Sequence, residues 1–231
     1  MAEVVPEPPV VEEEVVQEMP PEMVLVSNEA HRLEHSIEGM LPFLQHYNRN
    51  VNITPVMVTA MSPERVSEIA DRIAGIVRTY CAEHNLRLGR ELFILISADA
   101  NHYGEDFENT AFGSGMEGHA AAVANDRMIV EKLLSGPLEQ AGIRQVMTAM
   151  EPDRALWCGH YSIPMGLEVL RILAGGKAEG VPLSYSDTCT AGPIGFRDPR
   201  LGITAPFSLT HWVGHAAVGY RINKKTVREA E

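Results

Sequence analysis

Two short, almost wholly apolar segments constrain the fold of this chain most. Residues 51–59 (VNITPVMVT) and 92–97 (LFILIS) are rich in β-branched and large aliphatic side chains, which is typical of buried strands. Apolar side chains recur at helical spacing over 62–84, 118–134, 137–150 and 161–174. Further strand candidates lie at 181–186 and 214–222. This alternation predicts an α/β fold with a mostly parallel sheet flanked by helices, and an antiparallel pair near the C-terminus.

The negative charge of the chain is concentrated near its N-terminus. The sequence holds 31 acidic and 19 basic residues, a formal charge of −12, and its first 30 residues include 8 glutamates and no lysine or arginine. Residues 1–23 also contain 5 of the 15 prolines and too little apolar surface to form a core. We therefore expect an acidic, proline-rich segment at 1–23 and a single α/β domain at 24–231.

Composition also excludes several classes of partner. The acidic balance lacks the basic surface that nucleic-acid binding requires. The longest apolar run is far shorter than the roughly 20 residues of a membrane span, and the N-terminus lacks the basic flank of a signal peptide. The 3 cysteines are widely spaced, which argues against a disulfide framework or a thiolate zinc site. The prediction is a cytoplasmic protein without nucleic-acid or membrane partners.

A polar loop, SADANHYG at 97–104, directly follows the most apolar strand candidate. Ligands of α/β proteins collect at the carboxyl ends of strands, so chemistry is expected here first. Asp99 and His102 form a natural pair in which a carboxylate orients an imidazole for proton transfer. The alternative is simple loop capping, with Asp99 in a turn and His102 in solvent.

A second histidine-rich motif, HRLEH, contains His31, Glu34 and His35. It matches the H-x-x-E-H pattern of inverted zinc peptidases, in which two imidazoles one helical turn apart bind zinc. The motif identifies no third ligand, and the alternative is a polar turn of a surface helix. Glu34, His35 and Glu38 would in either case lie near one helix face.

The remaining candidates are cysteines and a histidine outside these motifs. Cys158 precedes a helix, whose N-terminus would favour a thiolate, although a buried structural cysteine is the commoner outcome. Cys189 lies in a turn rich in serine and threonine, and is interpreted either as a soft metal ligand or as an inert thiol. His215 lies on the last strand candidate, where a histidine more often faces solvent or a satisfied core pocket than a metal.

Several of these motifs together resemble one family. The segments EHSIE at 34–38 with LPFL at 41–44, SADANHYG at 97–104, and Cys158-Gly159 followed by Pro164 and Gly166 occur in the order and spacing of the Memo family, called AmmeMemoRadiSam system protein B in bacteria and archaea. A closing strand at 213–220 extends the resemblance over roughly residues 25 to 222. The family is similar in fold to the catalytic subunit of class III extradiol dioxygenases, which use non-haem Fe(II) and O2 to open catechols.

The resemblance implies roles for particular side chains. His102 resembles the acid/base histidine of these enzymes, His35 resembles a second pocket histidine, and Glu34 and Asp99 would line the same cavity. If a metal such as Fe(II) binds locally, the expected ligands are His35, His102 and Cys189. In the dioxygenases that the family resembles, two histidines and a carboxylate bind the iron and leave positions open for substrate and oxygen.

The sequence also departs from the family pattern. The family's first two metal-site histidines belong to an N-terminal segment with a His-Ala-Gly motif, which this sequence does not contain. The family's third ligand, a cysteine in animal members, falls in the turn that holds Cys189, nearest to Ala191. The 24–231 domain is therefore expected to be N-terminally incomplete, and self-association is one way to cover the strand edges this would expose.

Three functions follow in order of expectation. The first is a Memo-like protein with a pocket of His35, Asp99 and His102 that binds metal and performs oxidative chemistry on a small molecule. The second is a metal-free scaffold that binds a peptide or a small molecule through the same histidines. The third is a zinc peptidase built on HRLEH.

Overall fold

The computed structural model describes residues 17–151, 155–191, 195, 197 and 206–222. Its sheet has four strands in the order β1-β4-β3-β2, and helices pack against it. The strands are β1 (His102–Tyr103), β2 (Gly136–Pro137), β3 (Ala178–Asp187) and β4 (Trp212–Ile222). The helices are α1 (Asn28–Leu33), α2 (Ser36–Tyr47), α3 (Pro63–Glu83), α4 (Gly115–Met128), α5 (Gln140–Ala149), α6 (Ser162–Leu173) and α7 (Thr188–Ala191), with a 3-10 turn at Glu105–Phe107 and a π-helical turn at Ile129–Leu133.

The α/β class is confirmed, but the prediction of a mostly parallel sheet is wrong for the part of the chain that the structure describes. Its ladders, β1 with β4, β2 with β3 and β3 with β4, are all antiparallel. The β3–β4 hairpin is the C-terminal antiparallel pair that the sequence predicts. It is also the longest ladder, since it runs from Ala178 opposite Ile222 to Asp187 opposite Gly214.

The prediction of a mostly parallel sheet rests on the two apolar segments, 51–59 and 92–97, and neither forms a sheet strand among the described residues. Residues 51–59 and 93–97 have no regular secondary structure and join no ladder among the described residues. Phe93 and Leu95 are 70% and 53% exposed, whereas Ile94 and Ile96 pack against the core. An unbroken apolar run predicts burial on both faces, yet here only one face of residues 93–97 is covered.

The helices largely confirm their predictions. In α3, Ser62 caps the N-terminus by accepting a hydrogen bond from the Arg65 N–H at 3.3 Å, and Pro63 occupies the first turn, where its missing N–H costs nothing. The buried face of α3 packs on α6, and Met19 joins this part of the core. A second core cluster fills the space between the sheet and the helices α5 and α6. Most of the predicted 1–23 segment lies outside the described residues.

Among the described residues, no helix combines the length and the apolar character that a membrane crossing requires.

Candidate functional site

The SADANHYG loop is fixed to the sheet by its backbone. The Ala100 N–H donates to the Gly214 carbonyl at 2.9 Å, and the Gly214 N–H donates to the Asn101 carbonyl at 2.8 Å. His102 then enters β1 opposite Val213 of β4. The side chains of Asp99 and His102 are therefore held beside the first residues of β4, instead of moving with a free loop.

The Asp99 carboxylate lies between two imidazoles. Its Oδ2 is 3.4 Å from Nε2 of His102, and its Oδ1 is 3.4 Å from Nδ1 of His215. His215 reaches the site because β4 continues directly past the loop that carries Asp99. The predicted pairing of Asp99 with His102 is present in the structure, and His215 is added to it.

Cys158 completes the cluster from a distant part of the sequence. The Asp99 N–H donates to the Cys158 Sγ at 2.9 Å across a separation of 59 residues. One ligand atom from each of Asp99, His102 and Cys158 lies within 4.8 Å of the other two. Cys158 is exposed, so its interpretation as a buried structural cysteine is wrong. We call Asp99, His102, Cys158 and His215 the loop cluster.

Charge and hydrogen bonding within the loop cluster shift two pKa values in opposite directions. Contact with His102, and then with His215, holds the pKa of Asp99 well below its usual range. Asp99, with a smaller effect of Cys158, raises the pKa of His102 to about 9. The Nε2 of His102 is nevertheless buried without a well-formed hydrogen bond, although Asp99 Oδ2 lies 3.4 Å away. The attraction to Asp99 is therefore an ion pair that leaves a buried donor unsatisfied.

Replacing Asp99 by asparagine should lower the pKa of His102 in protein kept free of metal by a chelator. The charged carboxylate is the main cause of the elevated value, and asparagine keeps the shape without the charge. Because the folded pKa is raised, the ion pair stabilises the fold below pH 6.5, and this contribution disappears as the pH rises through about 9. Titration of the His102 ring by NMR measures the shift. An unchanged pKa in the variant would contradict the assigned ion pair.

The predicted residues His35 and Glu34 lie in the turn between α1 and α2. Glu34 accepts hydrogen bonds from the backbone N–H groups of Ser36 and, at 3.4 Å, Ile37, so its carboxylate caps α2. His35 is the N-cap residue of α2 and makes no cap hydrogen bond through its side chain. Ser97 donates to the Ser36 carbonyl at 2.9 Å, which places the start of α2 beside the residues that lead into the SADANHYG loop. Neither Glu34 nor His35 belongs to a ligand group of the described residues.

The geometry of HRLEH does not fit a zinc peptidase. His31 is in α1, which ends at Leu33, and Glu34 has an extended backbone with ψ of 141°. The two histidines therefore do not share one continuous helix, which the H-x-x-E-H pattern requires.

Cys189, which the sequence predicts to be a metal ligand, does not share a ligand group with His102 or His35. It lies with His119 and Asp187 in a separate group of ligand atoms. The three ligands expected from the resemblance are therefore distributed over different places in the described structure.

A cavity of about 400 Å³ opens elsewhere on the surface, lined by residues that include Met61, Arg144 and His160. None of the loop cluster residues lines it. The loop cluster is instead a partly open surface site, with the side chains of Asp99 and His215 47% and 53% exposed.

Comparison with known proteins identifies relatives for most of the chain. The family model described as "Memo-like protein" matches residues 9–193. A MEMO1 family protein of Saccharolobus solfataricus is 26% identical over 199 residues, which is 83% of this chain and 61% of the relative. A MEMO1 family protein of Archaeoglobus fulgidus is 24% identical over 192 residues, again 83% of this chain and 61% of the relative. The chain thus spans about three-fifths of the length of these relatives.

The matched region includes every residue of the loop cluster except His215, and it includes the motifs on which the resemblance rests. A single family model thus covers four-fifths of the chain. The chain belongs to the Memo family.

Proposed function

We propose that Asp99, His102 and Cys158 hold a divalent transition-metal ion, Fe(II) in the first instance, and that this site performs oxidative chemistry on a small molecule. One observation carries the proposal: the buried, unpartnered Nε2 of His102 faces a carboxylate oxygen at 3.4 Å beside a thiol sulfur. Ligand atoms bound to one ion at about 2.0–2.3 Å lie roughly 3–4 Å apart. The donors fit such an ion in type, the 3.4 Å between Asp99 and His102 lies in this range, and the Cys158 sulfur is within 4.8 Å of both.

The surroundings of the three donors favour a functional site over a structural one. Cys158 is exposed, and Asp99 is half-exposed, so an ion there would keep open positions for other ligands. Non-haem iron in a site with nitrogen and oxygen ligands supplies O2 activation and Lewis acidity when it is bound. The half-exposed imidazole of His215 is well placed to accept or return a proton of a bound small molecule, since Asp99 Oδ1 orients its Nδ1 at 3.4 Å.

The first test measures iron per chain after anaerobic incubation with Fe(II) and removal of excess ion. The wild type should retain close to one iron, and His102→Asn should bind more than about tenfold more weakly, because loss of even an outer partner of a metal ligand has that effect. His46→Ala, which alters an exposed histidine on α2, is the matched control and should retain iron. Wild-type protein that retains no iron would refute the proposal.

Oxygen uptake with catechol then tests the chemistry. The iron-loaded wild type should consume O2 above a control without protein, and His102→Asn should not. If His102→Asn kept its iron but lost oxidation, His102 would instead have the acid/base role that the family resemblance implies.

A metal-free binding site is the second candidate, and a row of rings favours it. His102 packs edge-on against Phe107 with ring centroids 5.1 Å apart, and Phe107 stacks on His211 at 4.3 Å. Such a row suits a planar small molecule or an aromatic side chain of a peptide. Catechol binding in the presence of a chelator, lost in Phe107→Ala and kept in Phe43→Ala on α2, would support this candidate. Equal binding by both variants would reject it.

A further inference from the structure

A second cluster of metal-ligating side chains lies outside the loop cluster. It consists of His119 on α4, Asp187 at the end of β3 and Cys189 on α7. One ligand atom of each lies within 4.8 Å of the other two, and His119 Nε2 is 3.1 Å from Asp187 Oδ1. The side chains of Asp187 and His119 are only 2% and 13% exposed, and Cys189 is buried. We call these three residues the buried cluster.

The buried cluster is separate from the loop cluster. Asp187 is paired with Gly214, and Ser186 is paired with His215. Because neighbouring side chains of a strand point to opposite faces, Asp187 and His215 lie on opposite faces of the β3–β4 ladder. A Cβ built at Gly214 would lie 2.7 Å from Oδ2 of Asp126 on α4, so the Asp187 face is the one that α4 covers.

Hydrogen bonds hold the Asp187 carboxylate in one orientation. Its Oδ1 accepts from the N–H groups of Cys189 and Thr190 at 2.9 and 2.8 Å, and its Oδ2 accepts from the Thr190 hydroxyl at 2.6 Å. Outer hydrogen bonds of this kind orient carboxylates that bind metals. The same hydrogen bonds cap the short helix α7, and this capping alone would account for Asp187 in a purely structural role.

The other two donors are held from different directions. The His119 ring meets the ring of Trp212 edge-on, with centroids 4.7 Å apart. Cys189 Sγ lies 2.9 Å from the Ser208 carbonyl oxygen, to which the thiol donates. The Nε1 of Trp212, the indole that packs on His119, is buried without a hydrogen-bond partner among the described residues. Three different donor types thus converge in a buried place, and the one on His119 packs on an indole whose N–H has no hydrogen-bond partner among the described residues.

We propose that His119, Asp187 and Cys189 bind one Zn(II) ion. Imidazole nitrogen, carboxylate oxygen and thiolate sulfur are the donors that zinc uses, and three protein ligands leave a fourth position for water. On binding, the Cys189 thiol would release its proton to solvent and its sulfur would turn from the Ser208 carbonyl to the ion. The ion would connect α4 to the end of β3 and to α7.

The experiment removes the loop cluster first, so that the two metal proposals are tested separately. In the variant His102→Asn/Cys158→Ser, two of the three proposed loop-cluster ligands are gone, and Co(II) is added as a spectroscopic substitute for zinc. We expect about one cobalt per chain with a thiolate-to-cobalt charge-transfer band in the near ultraviolet. Adding Cys189→Ser to this variant should abolish the band, and adding His119→Asn should weaken cobalt binding more than about tenfold. Adding Cys81→Ser should change neither signal.

A second measurement keeps the proposal testable if removing Cys189 disturbs folding. Zinc X-ray absorption of His102→Asn/Cys158→Ser should show one sulfur neighbour at about 2.3 Å and light atoms at about 2.0–2.2 Å. A zinc shell without sulfur, or folded protein that retains no zinc or cobalt, would overturn the proposal. A charge-transfer band that survives Cys189→Ser would do so as well. None of these outcomes depends on iron binding at His102 in the wild type.

Discussion

Replacing Asp126 by alanine should lower the free energy of unfolding by about 2–6 kcal/mol, because it leaves two buried donors without an acceptor. Asp126 is fully buried on α4. Its Oδ1 accepts from the Trp157 indole N–H at 2.8 Å, and its Oδ2 accepts from the Tyr185 hydroxyl at 2.7 Å. Alanine would leave both donors buried and unpaired, each at a cost of about 1–3 kcal/mol. Urea unfolding followed by circular dichroism measures the loss, and a loss below about 1 kcal/mol would contradict this account.

The Asp126→Asn variant separates hydrogen bonding from charge. Burial raises the pKa of Asp126 from 3.8 to about 6, against the opposing effect of its hydrogen bonds with Tyr185, Trp157 and the Asn101 backbone. Since the folded pKa is raised, the proton bound by Asp126 stabilises the fold fully below pH 3.8, and this contribution is lost as the pH rises to about 6.

Asparagine carries no charge and can still accept from Trp157 while donating to the Tyr185 oxygen. The stability of the wild type relative to Asp126→Asn should therefore fall by about 3 kcal/mol between pH 3.8 and 7. Other titrating groups contribute equally to both proteins and cancel in the difference. A difference that is constant over this range would show that Asp126 does not titrate there.

The sequence predicts the helices better than it predicts which strands pair. Helical periodicity finds α3, α5 and α6 because the apolar face of each helix is coded within a few turns, and Ser62-Pro63 marks the start of α3 by local chemistry. A strand also depends on a partner elsewhere in the chain. The LFILIS segment has the composition of a buried strand, yet Phe93 and Leu95 are exposed and no ladder forms along 93–97 among the described residues.

The same distinction applies to the candidate site. Asp99 and His102 are three residues apart, so a single loop brings them together and the sequence alone predicts the pair. Cys158 and His215 join them only through the register of β4 and the packing of the turn before α6. The spacing of these residues carries no such signal. The position of His119 beside Asp187 is equally non-local, because it depends on how α4 lies across the hairpin.

Gly104→Ala should lower both the stability of the fold and the retention of iron at the loop cluster. Gly104 has φ of +117°, and a Cβ there would lie inside contact distance of the Thr210 carbonyl and 2.8 Å from the Thr210 Cα. The Thr210 carbonyl cannot move freely, because it accepts a hydrogen bond from the Asp106 N–H at 3.0 Å. Backbone strain and overpacking each cost about 1–3 kcal/mol, so the free energy of unfolding should fall by at least about 2 kcal/mol.

The consequence for the site follows from the position of Gly104 two residues after His102. To relieve the contact, the segment that holds Thr210 must move away from β1, and the pairing of His102 with Val213 must open. His102 would then leave Asp99, so iron retention should fall as it does in His102→Asn. Gly89→Ala is the matched control, because Gly89 also has a positive φ, +78°, but its Cβ would meet nothing within 4 Å.

The control should lose only about 1 kcal/mol, from backbone strain alone, and should retain iron. Urea unfolding and iron content, measured on the same preparations, check both expectations. If Gly104→Ala lost no more stability than Gly89→Ala, the close approach of Gly104 to Thr210 would not constrain the fold. If it lost stability but kept its iron, the geometry of the loop cluster would be independent of the β1–β4 pairing, and His102 would have to be held by Asp99 and Cys158 alone.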